Sequence, residues 1–186
     1  MGHFQTDWTE GYKESFEKAV GLCENHGSAL EIGCFEGRST IFFAEKFDHV
    51  DVIDTFKGSP EIINSGYNCE ELYETFHKNT LKLSNKITPH VGMSHNVMCG
   101  MVSQGRMFDF VYVDGSHTAI DCATDTLLSI GMLNKGGVIL IDDYLNWMEL
   151  TPGSRTHDAV DFIIHALHGS NIVLQYVGTQ VAFKKA

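Results

Sequence analysis

The sequence predicts a three-layer α/β sandwich around a mostly parallel sheet with an antiparallel end, and three observations carry that reading. Short apolar strand patterns alternate with amphipathic helix patterns along the chain, as in βαβ units. The stretch Phe108 to Tyr144 is the clearest such unit: strand, helix, Gly-Gly turn, strand, with Asp114 ending the first strand and Asp142-Asp143 the second. The last two apolar runs, Ile172 to Val177 and Val181 to Lys184, flank Gly178-Thr179 and read as a hairpin. Right-handed crossovers place the carboxyl ends of parallel strands on one rim, where open α/β sheets bind ligands.

In chain order, Tyr12, Phe16, Ala19, Val20 and Cys23 recur at helical spacing, so a first helix runs from a Thr9 cap to about Asn25 and stops before Gly27. Ala29 to Ile32 is a short apolar strand, Gly33 to Gly37 a turn, and Ser39 to Phe47 a helix. Val50 to Ile53 is a second strand ending at Asp54, and the Gly-, Ser-, Pro- and Asn-rich run Thr55 to Asn68 reads as a long surface loop. A helix over Cys69 to Leu81, a strand at Ile87 to Val91 and a short helix over Ser94 to Gln104 follow. Within the central unit the strands are Phe110 to Val113 and Val138 to Ile141, with a helix near His117 to Met132. Leu145 to Ser154 is a loop, and Thr156 caps a helix to about His168. The whole reads as a single domain, 1–186, with an N-terminal helical segment (1–27) and an α/β core (28–186).

A chain of 186 residues, 43% hydrophobic, is long enough to bury a substantial core. Its formal net charge of -11 and scattered Lys and Arg argue against a nucleic-acid partner, which needs a basic footprint. No apolar run approaches a membrane span, and the N-terminus lacks an apolar signal region. Five widely spaced cysteines without a C-x-x-C pair fit a reducing compartment. A cytoplasmic protein acting on small molecules is the expectation.

The first turn, EIGCFEG, decides the class of cofactor. A dinucleotide fingerprint needs a second glycine so that backbone can approach a pyrophosphate; here Phe35 stands there, and Glu36 adds a carboxylate beside it. That argues against NAD and nucleoside triphosphates, and no phosphate-loop sequence is present. An adenosine ligand without phosphates fits better: Asp54, twenty-one residues beyond Gly33, can accept hydrogen bonds from ribose hydroxyls. S-adenosylmethionine has that chemistry, and its sulfonium and ammonium suit an acidic rim. A tight turn at Gly33 and Gly37 and a turn-forming aspartate explain the same residues without a ligand.

Four motifs in order, LEIGCFEGRST, VIDTFKG, FDFVYVDGSH and LNKGGVILIDDY, resemble the class I S-adenosylmethionine-dependent methyltransferases, and most closely methyltransferase family 24. The resemblance covers about residues 28 to 184. It implies a Rossmann-like α/β/α sandwich whose seven-stranded sheet has a reversed last strand. It also implies that Glu31, Gly33, Phe35, Gly37, Ser39, Asp54, Thr55, Ser94, His95 and Asp114 surround the methyl donor, with Ser94-His95 covering adenine as in catechol-type relatives.

Asp114, Asp142 and Asp143 are three carboxylates at adjacent strand ends, a hard oxygen set suited to Mg²⁺ or another divalent cation. Such an ion lowers the pKa of a bound hydroxyl and favours O-methylation. Similarity to catechol-type O-methyltransferases places Asp143 where those enzymes carry Asn, and His117 where they carry a catalytic lysine. His117 has the pKa range of a general base, with Asp114 beside donor and acceptor; it serves equally as a metal ligand or a helix-start histidine. Hydrogen bonding of the Asp142-Asp143 loop is the plainer reading of those aspartates. Phe56, Tyr67, Tyr144 and Trp147 border the rim as candidate acceptor-pocket aromatics.

The expected function is methyl transfer to a small hydroxylated acceptor, a sugar or phenol. The alternatives are a metal-independent N-methyltransferase, a metal-dependent hydrolase and a non-catalytic Rossmann-like binding protein. The sheet edge and first helix leave a homodimer open.

Overall fold

The computed structural model describes residues 4–5, 9–146 and 148–186. After a 3₁₀ turn at Glu10–Tyr12 come α1 (Lys13–Gly21), β1 (Ser28–Ile32), α2 (Arg38–Lys46), β2 (His49–Asp54), α3 (Pro60–Asn64), α4 (Leu72–Thr80) and β3 (Ile87–Val91). The second half contains α5 (Ser94–Ser103), β4 (Phe108–Val113), α6 (Ala119–Gly131), β5 (Leu133–Ile141), α7 (Thr156–Ala166), β6 (Ile172–Val177) and β7 (Val181–Lys185).

The seven strands form one sheet in the order β3-β2-β1-β4-β5-β7-β6. The first five are parallel, and β7 inserts antiparallel between β5 and β6. This is the Rossmann-like sheet with a reversed last strand. Alternation along the strands divides the core in two. Ala29, Phe110, Tyr112, Val138 and Leu140 face α1, α2 and α4, where Phe16, Phe43, Phe47 and Phe76 fill the layer. Leu30, Ile32, Val111, Val113, Ile139 and Ile141 face α5, α6 and α7 through Met98, Met101, Cys122, Val160 and Ile163. Because both faces are covered, the central strands read as unbroken apolar runs instead of alternating ones.

Local differences from the sequence expectations have tertiary causes. The first helix ends at Gly21, short of Asn25, because the Glu24 N–H is taken by the Gly136 carbonyl at the start of β5. Thr9 makes no side-chain cap. The long loop holds the short helix α3, whose five residues are too few for a periodic signal. The Gly-Gly pair is not a turn before β5 but lies within it: Gly136 has φ +74°, and the β4–β5 register shifts between Phe108 and Phe110. Thr156 begins α7 without capping it; Arg155 occupies the cap position. Among the described residues no helix is long and apolar enough to cross a membrane, and all five cysteines are free thiols.

Candidate functional site

The parallel strands end on one rim, and the aspartates and the glycine turn meet there. Gly33 is dictated by backbone crowding. The β1 and β4 ends run side by side, with the Asp114 N–H bonded to the Ile32 carbonyl at 2.9 Å. A Cβ on Gly33 would lie 1.9 Å from the Asp114 carbonyl oxygen, and φ there is +84°. Glycine is therefore required before any ligand is considered.

Asp54 organises the turn. Its Oδ2 accepts from the N–H groups of Cys34 (3.0 Å) and Phe35 (2.9 Å), and its Oδ1 from Phe56 N–H (2.8 Å). Phe35 and Phe56 both have left-handed backbones, φ 46° and 54°. Such conformations are costly for aromatic residues and persist where surrounding bonds impose them. A carboxylate offers about four acceptor sites, and three backbone N–H groups take up most of those of Asp54. Thr55 next to it accepts from Lys57 N–H at 3.3 Å.

Glu31 is fully buried in β1 and accepts from the Ser39 hydroxyl at 2.5 Å and from the Thr40 hydroxyl, which seats the first turn of α2. Burial pushes its pKa up to about 7 against those two bonds. Gly37 caps α2 with φ +86°. Glu36, 2% exposed, accepts from Tyr67 Oη at 2.8 Å and from Gln5 N–H at 3.0 Å, so it ties the 55–68 loop and Gln5 onto the turn. Ser94 opens α5, and His95 beside it is exposed.

The acidic cluster at the β4 and β5 ends divides. Asp142, 5% exposed, accepts from the Tyr112 hydroxyl and, through Oδ1, from Asp143 N–H at 2.7 Å. Asp143 turns the other way, with φ 59°, and its Oδ2 lies 2.9 Å from His117 Nε2. One ligand atom each of Asp114, His117 and Asp143 lie within 4.8 Å of one another, a group that can hold a metal ion. The cavity they share with Asp142 and Thr156 is about 10 Å³, close to the space one water or ion occupies. Two carboxylates and an imidazole around a space of that size fit a divalent cation. Asp142 lies behind this trio, buried against Tyr112.

Desolvation sets the electrostatics. Burial, then the neighbouring Asp142, Asp143 and Glu31 charges, hold the Asp114 carboxyl well above the usual carboxylate range. Asp142 is raised to about 6 by burial and by Asp143. Accumulated negative charge of this kind favours a cationic ligand.

The sequence reading overlooked Tyr12 and Asn146. Asn146 Nδ2 donates to Asp143 Oδ1 at 2.5 Å and to Tyr12 Oη at 3.2 Å, which links the N-terminal segment to the cluster. Burial raises the Tyr12 phenol, Asn146 lowers it, and the three aspartates add to the rise. Only the helix periodicity of Tyr12 was visible in the sequence. Among the aromatics read as pocket candidates, Phe56 packs on Tyr73 and Phe76, Tyr67 on Phe35, and Tyr144 stacks on His157 at 4.6 Å. Trp147 lies outside the described residues.

The fold recurs in solved methyltransferases. An O-methyltransferase from Bacillus cereus in complex with S-adenosylhomocysteine superposes with a TM-score of 0.70 at 16% identity, over 97% of this chain and 83% of that one. The O-methyltransferase TomG from Streptomyces achromogenes, involved in tomaymycin synthesis and solved with S-adenosylmethionine, gives 0.67 at 16% identity, over 97% and 82%. The MycE methyltransferase from the mycinamycin biosynthetic pathway, in complex with Mg and S-adenosylhomocysteine, gives 0.68 at 15% identity, over 98% of this chain and 51% of that one. At these identities the likeness establishes the fold alone. A comparison with curated proteins finds no match. Residues 30–144, more than half of the chain, match the family profile described as a methyltransferase domain. The rim assembled above falls within or beside that span, and the chain belongs to methyltransferase family 24, among the S-adenosylmethionine-dependent methyltransferases.

Proposed function

We propose that the protein transfers the methyl group of S-adenosylmethionine to a hydroxyl of a small acceptor, a sugar or phenol, with His117 as general base. The observation that carries this reading is the grouping of His117 with Asp114 and Asp143 at the carboxyl ends of β4 and β5.

The donor's adenosine would lie along the turn, with Asp54 at the ribose, Ser94 and His95 at the adenine, and Glu31 with Ser39 beneath the methionine part. The acidic rim suits the sulfonium and ammonium charges. His117 takes the proton of the acceptor hydroxyl, the oxygen attacks the methyl carbon, and the electron pair of the broken S–CH₃ bond returns to sulfur to give S-adenosylhomocysteine. Proton removal by a placed imidazole contributes on the order of 10²–10⁴-fold. Asp114 and Asp143 would hold a divalent cation, which would supply charge that lowers the pKa of a nearby acceptor hydroxyl. His117 Nε2 is bonded to Asp143 and Nδ1 is buried, so the imidazole must exchange its Asp143 contact for the acceptor hydroxyl. Asn146, which also donates to Tyr12 Oη, positions Asp143.

The same 2.9 Å contact favours a second reading, in which Asp143 pairs with the imidazolium once His117 Nε2 has taken the proton and no metal is used. Radiolabelled methyl transfer to a panel of catechols, phenols and hexoses, run with Mg²⁺ or with chelator, separates the two. Transfer that depends on Mg²⁺ supports the first. Equal transfer in chelator supports the dyad, and failure of the protein to bind S-adenosylhomocysteine in calorimetry would overturn both.

A further inference from the structure

Among the described residues one group of side chains can close on a metal ion, and it differs from the three carboxylates that the residue pattern suggests. Asp114, His117 and Asp143 each bring a ligand atom within 4.8 Å of the others, and Asp142 is not among them. Folding has exchanged a carboxylate for an imidazole.

The exchange has a visible cause. Asp142 is turned inward, where its Oδ2 accepts from the Tyr112 hydroxyl and its Oδ1 from the Asp143 N–H at 2.7 Å. Tyr112 is 1% exposed, and its oxygen accepts in turn from Gln180 Nε2 at 3.4 Å. Withdrawing Asp142 toward a cation would leave a buried phenol O–H without its acceptor, an unfavourable state. Asp143 turns the opposite way with φ 59°, is held by Asn146, and brings Oδ2 to 2.9 Å from His117 Nε2. The segment that carries His117 is fixed on both sides. Ser116 Oγ and Thr118 Oγ1 donate to Asp121 Oδ2 at 2.7 and 2.9 Å, and the Ala119 N–H donates to the Gly153 carbonyl at 3.1 Å. His117 therefore meets the shared cavity from an anchored backbone, as the ligands of a preformed site do.

A changed donor set changes the ion it suits. Mg²⁺ and Ca²⁺ are hard cations that take oxygen ligands, whereas imidazole nitrogen suits first-row transition ions. Two carboxylates and one imidazole together fit an ion that accepts both, Mn²⁺ or Fe²⁺. Cys122 also lines the cavity, but its sulfur lies outside the group of ligand atoms, so no thiolate draws the site toward zinc or copper(I).

We propose that His117, in place of Asp142, is the third protein ligand of this site, and that the site prefers a nitrogen-accepting ion such as Mn²⁺ to Mg²⁺. The assignment rests on the cation-assisted reading above and specifies its ion. One nitrogen cannot hold a cation and take a proton at the same time, so ligation by Nε2 describes the protein before an acceptor arrives.

The test is electron spin echo spectroscopy of Mn²⁺ added to the full chain, stripped of metal with chelator and given no acceptor, together with calorimetric titrations of Mn²⁺ and Mg²⁺. The wild type should show the nitrogen modulation of a directly bound imidazole and bind Mn²⁺ at least about tenfold more tightly than Mg²⁺. His117→Asn should lose that modulation and weaken Mn²⁺ by about tenfold or more, with Mg²⁺ held to within about threefold. A wild-type signal without nitrogen modulation, modulation that survives in His117→Asn, or equal weakening of both ions would overturn the proposal. Should His117→Asn fail to fold, the wild-type modulation and the Mn²⁺ to Mg²⁺ ratio decide it. Absence of saturable binding of either ion overturns it together with the cation-assisted reading. S-adenosylhomocysteine binding in chelator, titrated separately, reports on the methyl donor whatever the outcome for the metal.

Discussion

His117 Nε2 lies 2.9 Å from Asp143 Oδ2, so an imidazole that follows β4 and a carboxylate that follows β5 meet at the rim of the sheet. Asp143 supplies a carboxylate partner for an imidazole that would be cationic after proton transfer. His117→Asn should lower turnover by about 10²–10⁴-fold while leaving the S-adenosylhomocysteine dissociation constant within about twofold. Turnover equal to wild type would remove His117 as the base.

Asp143 has φ 59°, a left-handed conformation in which asparagine is well tolerated. Asp143→Asn should thus keep its stability to within ~1 kcal/mol in denaturant titration. Mn²⁺ affinity, followed by electron paramagnetic resonance, should fall because a charged ligand is lost. Unchanged Mn²⁺ binding would place the cation elsewhere or nowhere.

Glu31, Asp125 and Asp142 have pKa values raised to about 7, 6 and 6, mainly by burial. A carboxyl raised on folding binds its proton more tightly in the folded state than in the unfolded chain. Its unfavourable contribution is absent below the ordinary carboxylate pKa and complete above the raised one, so stability falls as pH rises through that window. In chelator, the melting temperature should therefore increase as pH is lowered from about 8 to about 5.5. A flat or reversed trend would mean that these carboxyls carry little of the pH dependence.

Gly33→Ala tests the crowding at the rim. A Cβ 1.9 Å from the Asp114 carbonyl cannot be accommodated without separating the β1 and β4 ends. A loss of at least ~3 kcal/mol is expected, readable as an earlier urea midpoint. A loss below ~1 kcal/mol would show that the strand ends yield easily.

Residue pattern alone carried the architecture. Alternating strand and helix periods, acid-tipped strands and a closing hairpin are local features, and chain chirality then dictates a common rim, so the sheet and its carboxyl edge follow from the sequence. The motifs around Gly33, Asp54 and Asp114 were legible for the same reason: each is a short segment at the end of a strand, although the contacts that fix them join β1, β2 and β4.

What the sequence could not decide is the partner of each side chain, because partners come from elements far apart in the chain. It offered Asp114, Asp142 and Asp143 as one equivalent set. Only the tertiary structure separates them: the positive φ of Asp143 swings its carboxylate to His117 and Asn146, while Tyr112 from the neighbouring strand draws Asp142 into the core. Tyr12 reaches the cluster from more than a hundred residues away, and Glu36 meets Tyr67 and Gln5 only when the rim closes. Local backbone preference encodes the edge of the sheet, and packing of distant segments chooses which acid faces which base.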